Sequence, residues 1–309
     1  MADVTLIIGN GFDLDLGLKS SYKNFAASKE WKDLMHRYES FLMNETEQKK
    51  SLLWQINSAS TASQWFDIEE EIHKFVQEHP TLSQQEIEEI QYEFEGIKKA
   101  LCEYLRRCVD EFEFKPDNKR LSSELLYLLY DNPCNVIEFN FNYTDVHDFL
   151  GDSNIVFPTH IHGCLKDKDI VLGCDIQEGE KVNRNLSFLY KYNMLKKANH
   201  MVRSMLDTNE VIIFGHSINE MDFCYFREYL KVASSSSQQM RYLTIFTYDE
   251  QSERTIKDNM RNQGISVSDL YNNLEEFTFI HTKNFYEGDT NEYEKLGELD
   301  YRLKKNLSW

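Results

Sequence analysis

The sequence predicts an α/β protein: a parallel sheet flanked by helices, with a large helical insertion after the first strand. Three observations carry this. A short apolar run, Val4 to Ile8, stops at Gly9-Asn10-Gly11, as a buried parallel strand does where it turns into a helix. Residues from about 22 to 130 carry helical spacing and few strand signals. After Pro133 apolar strands and helical segments alternate, which means a parallel sheet covered by helices.

The first strand spans residues 3–8. The insertion then reads as four helical stretches: "KEWKDLMHRYESFLMN", "QWFDIEEEIHKFVQEH", "SQQEIEEIQYEFEGIKKALCEYLRRCVDEFEF" and "RLSSELLYLLYD". In the third, Ile87, Ile90, Phe94, Ile97, Leu101 and Leu105 follow three- and four-residue steps, the stripe of an amphipathic helix. "NVIEFNFNYTD" is a strand running into a loop, "NIVFPTHIHG" a strand ending in Gly163, and "IVLGCD" a short strand. "LSFLYKYNMLKKANHMVRSMLD" is a helix, "EVIIFGHS" an apolar strand ending in a turn, and "EMDFCYFREYLKVA" a helix. "RYLTIFTYD" and "EFTFIHT" are the last strands, with the helix "EQSERTIKDNMRNQG" between them. The domain organisation expected is residues 1–24 with 131–309 as the sheet domain and 25–130 as the insertion.

Bulk composition excludes several classes. The formal net charge of −18 repels polyanions, so nucleic acid is not an expected partner. There is no basic n-region followed by an apolar h-region, and no run of about 18 apolar residues, so neither secretion nor a membrane span is expected and the protein is placed in the cytoplasm. The six cysteines form no C-x-x-C pair. Reduced thiols are expected, with no zinc and no other metal site.

In an open α/β sheet, ligands bind beyond the carboxyl ends of the strands. Four polar clusters fall there: "GNGFD", "FNFNYTD", "HIHG" and "FGHSINEMD". Gly9 permits a tight turn and Gly11 a close approach of backbone to ligand, with Asn10 and Phe12 beside them. This is not the dehydrogenase fingerprint, because the third glycine, Gly17, comes too late for G-x-G-x-x-G. Asp13 would repel a pyrophosphate; it reads either as a helix cap or as an acceptor for ribose hydroxyls. Asn140 and Asn142 share one side if the strand persists, and the alternative is a turn with Thr144 or Asp145 capping a helix. His160 and His162 also share a parity. A metal pair there lacks further ligands; His162, directly before Gly163, is the candidate general base. Gly215, His216, Ser217 and Asp222 line the fourth cluster, with His216 read mainly as structural and Ser217 and Asp222 as helix caps. No G-x-S-x-G elbow exists, so a serine hydrolase is not expected.

Together, "LIIGNGFDLDLGLKSSYKNF", "WFDIEEEI", "FNFNYTD", "HIHG" and "IIFGHSINEMD" resemble the bacteriophage abortive-infection AbiH family. A more distant similarity is to the sirtuin-like NAD-binding domains, and it implies a Rossmann-like sheet. Gly9, Gly11 and Gly17 keep the spacing of their glycine loop, with Asp13 in place of its serine and Lys19 in place of its proline. The resemblance puts Asn142 on the asparagine that contacts the nicotinamide ribose, His162-Gly163 on the catalytic His-Gly, and Gly215-His216-Ser217 on the later G-T-S. The deacetylases' zinc ribbon is absent, and Ser20-Ser21-Tyr22 stands where their loop ends in Asp-Phe-Arg.

The expectation that follows is a defence protein that hydrolyses NAD at the nicotinamide–ribose bond on infection. Asn142 would orient the ribose, His162 would act as base, and Asp13 would stabilise developing oxocarbenium charge. Gly9, Asn10, Gly11, Phe12, Asn140, Gly215, His216, Ser217 and Asp222 would bind the nucleotide. A second reading is a non-enzymatic nucleotide sensor. A third is a nuclease holding a divalent metal on Asp13, Glu69 and Asp222. "WFDIEEE" puts Trp65, Ile68 and Ile72 toward a core and Glu69 either in solvent or toward the site. Self-association into a homo-oligomer is expected from the surplus apolar stripes of the insertion.

Overall fold

A computed structural model of the chain describes residues 3–38, 48, 50–62, 66–113, 120–132, 134–145, 158–176, 180–191, 195–235 and 241–305. Trp65 lies outside them, as do the residues 154–157 that begin the strand expected before Gly163. The chain forms two compact units. One comprises Met1–Leu18, Glu113–Ile161 and Met194–Trp309; the other comprises Lys19–Phe112 and His162–Asn193.

The first unit is a six-stranded sheet. Its strands are β1 (Val4–Ile8), β2 (Val136–Asn140), β3 (Thr159–His160), β4 (Glu210–Phe214), β5 (Tyr242–Thr247) and β6 (Glu276–His281). The order is β3-β2-β1-β4-β5-β6, and every neighbouring pair is parallel. This is the Rossmann-like arrangement, in which the chain winds outward one way from β1 and the other way from β4. All residues of β1 and of β4 are buried, which explains why both read as largely apolar runs rather than alternating ones. Thr5 sits in β1 with its hydroxyl 3.0 Å from that of Thr208.

Helix α1 (Asn10–Leu16) follows β1 and ends at Gly17 with φ 102°. Asp15 ties it to the start of a later helix, Leu121–Asp131, by accepting from the Ser122 amide (2.9 Å) and hydroxyl (2.7 Å). Behind β4, Arg227–Ser234 leads to β5, and Glu250–Asn262 with Val267–Asn273 leads to β6. The helix Thr290–Lys305 closes the chain and brings in Arg302. That guanidinium donates to Glu210 (3.1 and 3.3 Å), Glu276 (2.6 Å) and Thr244 (3.0 Å). Glu210 is fully buried. Burial pushes its carboxyl up, and Arg302 opposes that push.

The second unit is helical. Its longest element, Gln84–Asp110, opens with a capping box in which Ser83 and Glu86 satisfy each other's backbone amides. Ile90, Phe94, Ile97, Leu101 and Leu105 on its stripe are buried. Trp31, from Lys29–Tyr38, is buried and donates its indole N–H to Asn57 of Leu52–Ala62 at 3.0 Å. Glu93 accepts from the Ser51 hydroxyl (2.8 Å) and the Leu53 amide (3.1 Å). His73, on Ile68–Glu78, reaches Glu180 at 3.0 Å, joining the two stretches of this unit.

Several expected elements differ. The strand ending at Gly163 instead ends at His160, and residues 161 and 162 form a turn. "IVLGCD" makes one isolated bridge, Cys174 to Tyr190, rather than a strand. Gly173, at φ 151°, would place a Cβ 2.5 Å from the Leu189 carbonyl oxygen, so the two segments touch at a single backbone crossing. The helix expected over 186–207 is broken. A 3₁₀ turn, Arg184–Leu189, ends where Tyr190 turns extended to pair with Cys174, and the α-helix is Leu195–Asp207. Over 220–233 a short 3₁₀ turn, Phe223–Tyr225, precedes the helix. No helix among the described residues is long and apolar enough to cross a membrane.

Candidate functional site

The polar clusters of the first unit meet at the carboxyl ends of β1, β2 and β4. The backbone joins them first. Gly9 donates to Phe214 (2.9 Å), Gly11 to Gly215 (2.9 Å), and Phe141 to Ile8 (2.8 Å). Glycine is needed because these turns touch one another. A Cβ on Gly11 would stand 2.6 Å from the Gly215 Cα, and one on Gly215 would stand 2.4 Å from the Phe12 nitrogen. Gly215 also has φ 68°. The missing side chains thus admit neighbouring backbone, and the amides of Gly11 and Phe12 are taken by protein carbonyls. Asn10 is exposed; Phe12 is buried edge-on against Phe214, with centroids 5.0 Å apart.

Asp13 is fully buried. One carboxylate oxygen accepts from Asn142 Nδ2 at 2.8 Å, and the other accepts a short hydrogen bond from the Thr144 hydroxyl. Asn142 Nδ2 also donates to the Gly9 carbonyl at 3.1 Å. Asn140 shapes the loop by accepting from the Asn142 amide (2.8 Å) and donating to the Thr144 carbonyl (3.3 Å). Asp13, read from sequence as a cap or a sugar acceptor, therefore bridges α1 to the loop after β2. Buried polar groups of this kind are stable only when each has a partner. His160, at the end of β3, places Nδ1 3.0 Å from the Asn142 carbonyl.

His216 accepts the Ile218 amide on Nδ1 at 2.9 Å. Its Nε2 lies 3.5 Å from Asp222. Because Nδ1 accepts, Nε2 carries the proton and faces the carboxylate. The ring packs against Phe141 and Phe226, with centroids 4.3 and 4.9 Å away. Ile218 is buried with φ 47°, a left-handed conformation that a β-branched residue adopts only under constraint. Ser217 is exposed. Asp222 precedes the 3₁₀ turn without a side-chain cap bond to it, so its carboxylate faces the histidine instead.

His162 belongs to the second unit, where it forms a different cluster. Its Nε2 lies 3.4 Å from the Lys191 ammonium, which pairs with Glu69 at 2.7 Å. The Lys191 side chain is fully buried. Glu69 lies in the first turn of Ile68–Glu78, where Asp67 accepts its amide at 2.8 Å. The cluster's backbone is set by two more glycines. Gly163, at φ 75°, would place a Cβ 2.2 Å from the Asp169 carbonyl oxygen, and Gly173 meets Leu189 as described. Lys191 donates its amide to the Cys174 carbonyl at 2.9 Å. Burial pushes the Cys174 thiol up to about 12, with Asp175 and Glu69 adding to the effect and Lys191 opposing it, which disfavours the reactive thiolate.

Cys164, Asp167 and Asp169 also lie within mutual ligand distance. Their own contacts account for this: the Cys164 amide donates to Asp169 at 2.8 Å and its thiol to Asp167 at 3.4 Å. The six cysteines are free.

The sequence reading missed Thr144 as a partner of Asp13, although it stands inside the quoted "FNFNYTD". Lys191 carried no local signal; only its pairing with Glu69 across the chain reveals it.

Comparison with known proteins gives one match. The family model for the bacteriophage abortive infection protein AbiH matches residues 5–246. No curated protein and no solved structure matches the chain. The matched span runs from β1 through most of β5 and so contains every cluster of the candidate site. The chain belongs to the bacteriophage abortive-infection AbiH family.

Proposed function

We propose that this abortive-infection protein acts by hydrolysing NAD at the nicotinamide–ribose bond. The observation that carries the reading is topological. The strand order reverses between β1 and β4, the place where Rossmann-like sheets take dinucleotides. Beside that point, at the same strand ends, Asp13, Asn142 and Thr144 form a buried polar network on the β2 side of β1, and Ile218 holds a strained backbone just after β4. Strain and buried polar networks at a strand-end crevice are typical of sites rather than of scaffold. Asn142, carried over from the sirtuin-like resemblance as the ribose-orienting residue, is the hub of the network. The net charge of −18 speaks against a nuclease, and Asp13 already gives both oxygens to protein donors.

A second reading, nucleotide sensing without chemistry, draws on the same full engagement of Asp13. One experiment separates the two. Purified protein is given NAD, nicotinamide release is followed by chromatography, and ADP-ribose binding is measured by calorimetry. Release supports hydrolysis. Binding without release supports the sensor, and neither binding nor release removes both.

A further inference from the structure

We infer that His160, rather than His162, is the general base of this site. The inference rests on the hydrolase reading above and names the residue that serves it.

Two histidines two residues apart differ in what their ring nitrogens do. His160 Nδ1 lies 3.0 Å from the Asn142 carbonyl. A carbonyl only accepts, so Nδ1 carries the proton and Nε2 bears the lone pair. That Nε2 is buried and has no hydrogen-bond partner among the described residues. A buried acceptor left unpaired is costly, and where it persists a ligand or water is the ordinary explanation. His162 is the reverse case. Its Nε2 faces an ammonium, which only donates, at 3.4 Å. The lone pair that a base would use is engaged by Lys191, which Glu69 in turn holds.

His160 is also aligned by the groups that build the site. β3 pairs it with Asn140. The Asn142 carbonyl orients its ring, and Asp13 orients Asn142 through the 2.8 Å bond to Nδ2. Lys197 fixes the His160 backbone by donating to its carbonyl at 2.7 Å. The chain Asp13–Asn142–His160 thus places a carboxylate, an amide and an imidazole in sequence, with the lone pair at the far end. Asp13 and Asn142 act here as positioning residues.

The step balances without a further reagent. The C1′–nitrogen bond of NAD breaks, and its electron pair neutralises the pyridinium, which leaves as nicotinamide. A water oxygen forms the new bond to C1′. Its proton passes to His160 Nε2 and then to solvent, leaving ADP-ribose.

The test uses the full chain. In His160→Asn the amide keeps a donor for the Asn142 carbonyl and removes the base. Nicotinamide release is expected to fall about 10²–10⁴-fold, with ADP-ribose affinity and thermal unfolding near wild type. His162→Asn is expected to lose less. Wild-type release by His160→Asn, or a larger loss in His162→Asn, overturns the inference. A second measurement does not depend on turnover. Nitrogen-15 spectra of the histidine rings should show His160 with Nδ1 protonated and Nε2 bare, and Nε2 shifting when ADP-ribose is added. If the wild type releases no nicotinamide, the hydrolase reading falls and these spectra judge His160 alone. A protonated Nε2 in the free protein, or no shift at saturating ADP-ribose, overturns its assignment as a site acceptor.

Discussion

Four glycines make a controlled experiment on how β1 and β4 are joined. Gly215 combines a positive φ of 68° with a Cβ position 2.4 Å from the Phe12 nitrogen. Gly11 has the overlap alone: its Cβ would lie 2.6 Å from the Gly215 Cα. Gly264 has the angle alone, φ 80° with nothing within 4 Å, and Gly297 has neither. A left-handed alanine costs about 1–2 kcal/mol, and forcing an atom into packed backbone costs about 1–3 kcal/mol. Alanine in a helix interior gains about 0.5–1 kcal/mol over glycine. Gly297→Ala should therefore stabilise slightly. Gly264→Ala should cost about 1–2 kcal/mol from the angle alone. Gly11→Ala should cost up to about 2 kcal/mol once its helical gain is set against the overlap. Gly215→Ala should cost about 2–5 kcal/mol, the sum of both effects. Urea denaturation at constant slope reads each difference as a shift in midpoint. The double variant of Gly11 and Gly215 should not be additive, because the two residues touch. If Gly215→Ala is no worse than Gly264→Ala, the contact between the two turns is not what requires glycine.

Other substitutions test the remaining polar clusters. Arg302→Met strands Glu210 in the core and should cost about 3–5 kcal/mol; the double variant with Glu210→Leu should recover much of this, and failure to recover would remove the ion-pair explanation. Asn142→Ala leaves Asp13 and the Gly9 carbonyl each short of a donor, so denaturation should show a loss of about 2–5 kcal/mol beside any loss of activity; an unchanged midpoint would contradict the network. Burial raises the Glu93 carboxyl to about 7, above the unfolded value of about 4.3. The folded state therefore binds the extra proton between those values, and stability from this group is full below about 4.3 and declines as pH rises to about 7, by roughly 4 kcal/mol. Hydrogen exchange along Gln84–Asp110 should show protection falling over that window, and protection that rises instead would reverse the assignment.

The strands were legible wherever burial is complete on both faces. Val4–Ile8 and Glu210–Phe214 announce themselves because a central parallel strand needs no polar face. The same rule misled at 170–175. That segment is apolar because Leu172 and Cys174 are buried, but its only strand-like pairing among the described residues is the bridge to Tyr190. Residues 186–190 carry helical spacing, and a tertiary contact to Cys174 overrides it. The candidate site divides in the same way. Glycines and asparagines at strand ends are visible because local geometry demands them. Partners such as Thr144 for Asp13, or Lys191 for Glu69, lie more than a hundred residues away in sequence, and nothing local encodes such a pairing. The contrast between His160 and His162 was hidden for another reason. Equal parity along an expected strand made them look alike, whereas the strand stops between them.

The position of β1 has a consequence for synthesis. It is made before both of its partners, β2 and β4, and the Glu210 of β4 faces Val4 from about 200 residues further on. At roughly 5–20 residues per second, the nascent chain carries "VTLII" for some tens of seconds before the second neighbour exists. Both edges of this apolar segment stand open until β2 is made, and one stays open until β4 follows, the condition under which strands pair with the wrong chain. Long-range parallel pairing is also slow once it becomes possible. The protein's yield in the cell should thus depend on what shields Val4–Ile8 during translation as well as on the stability of the finished sheet.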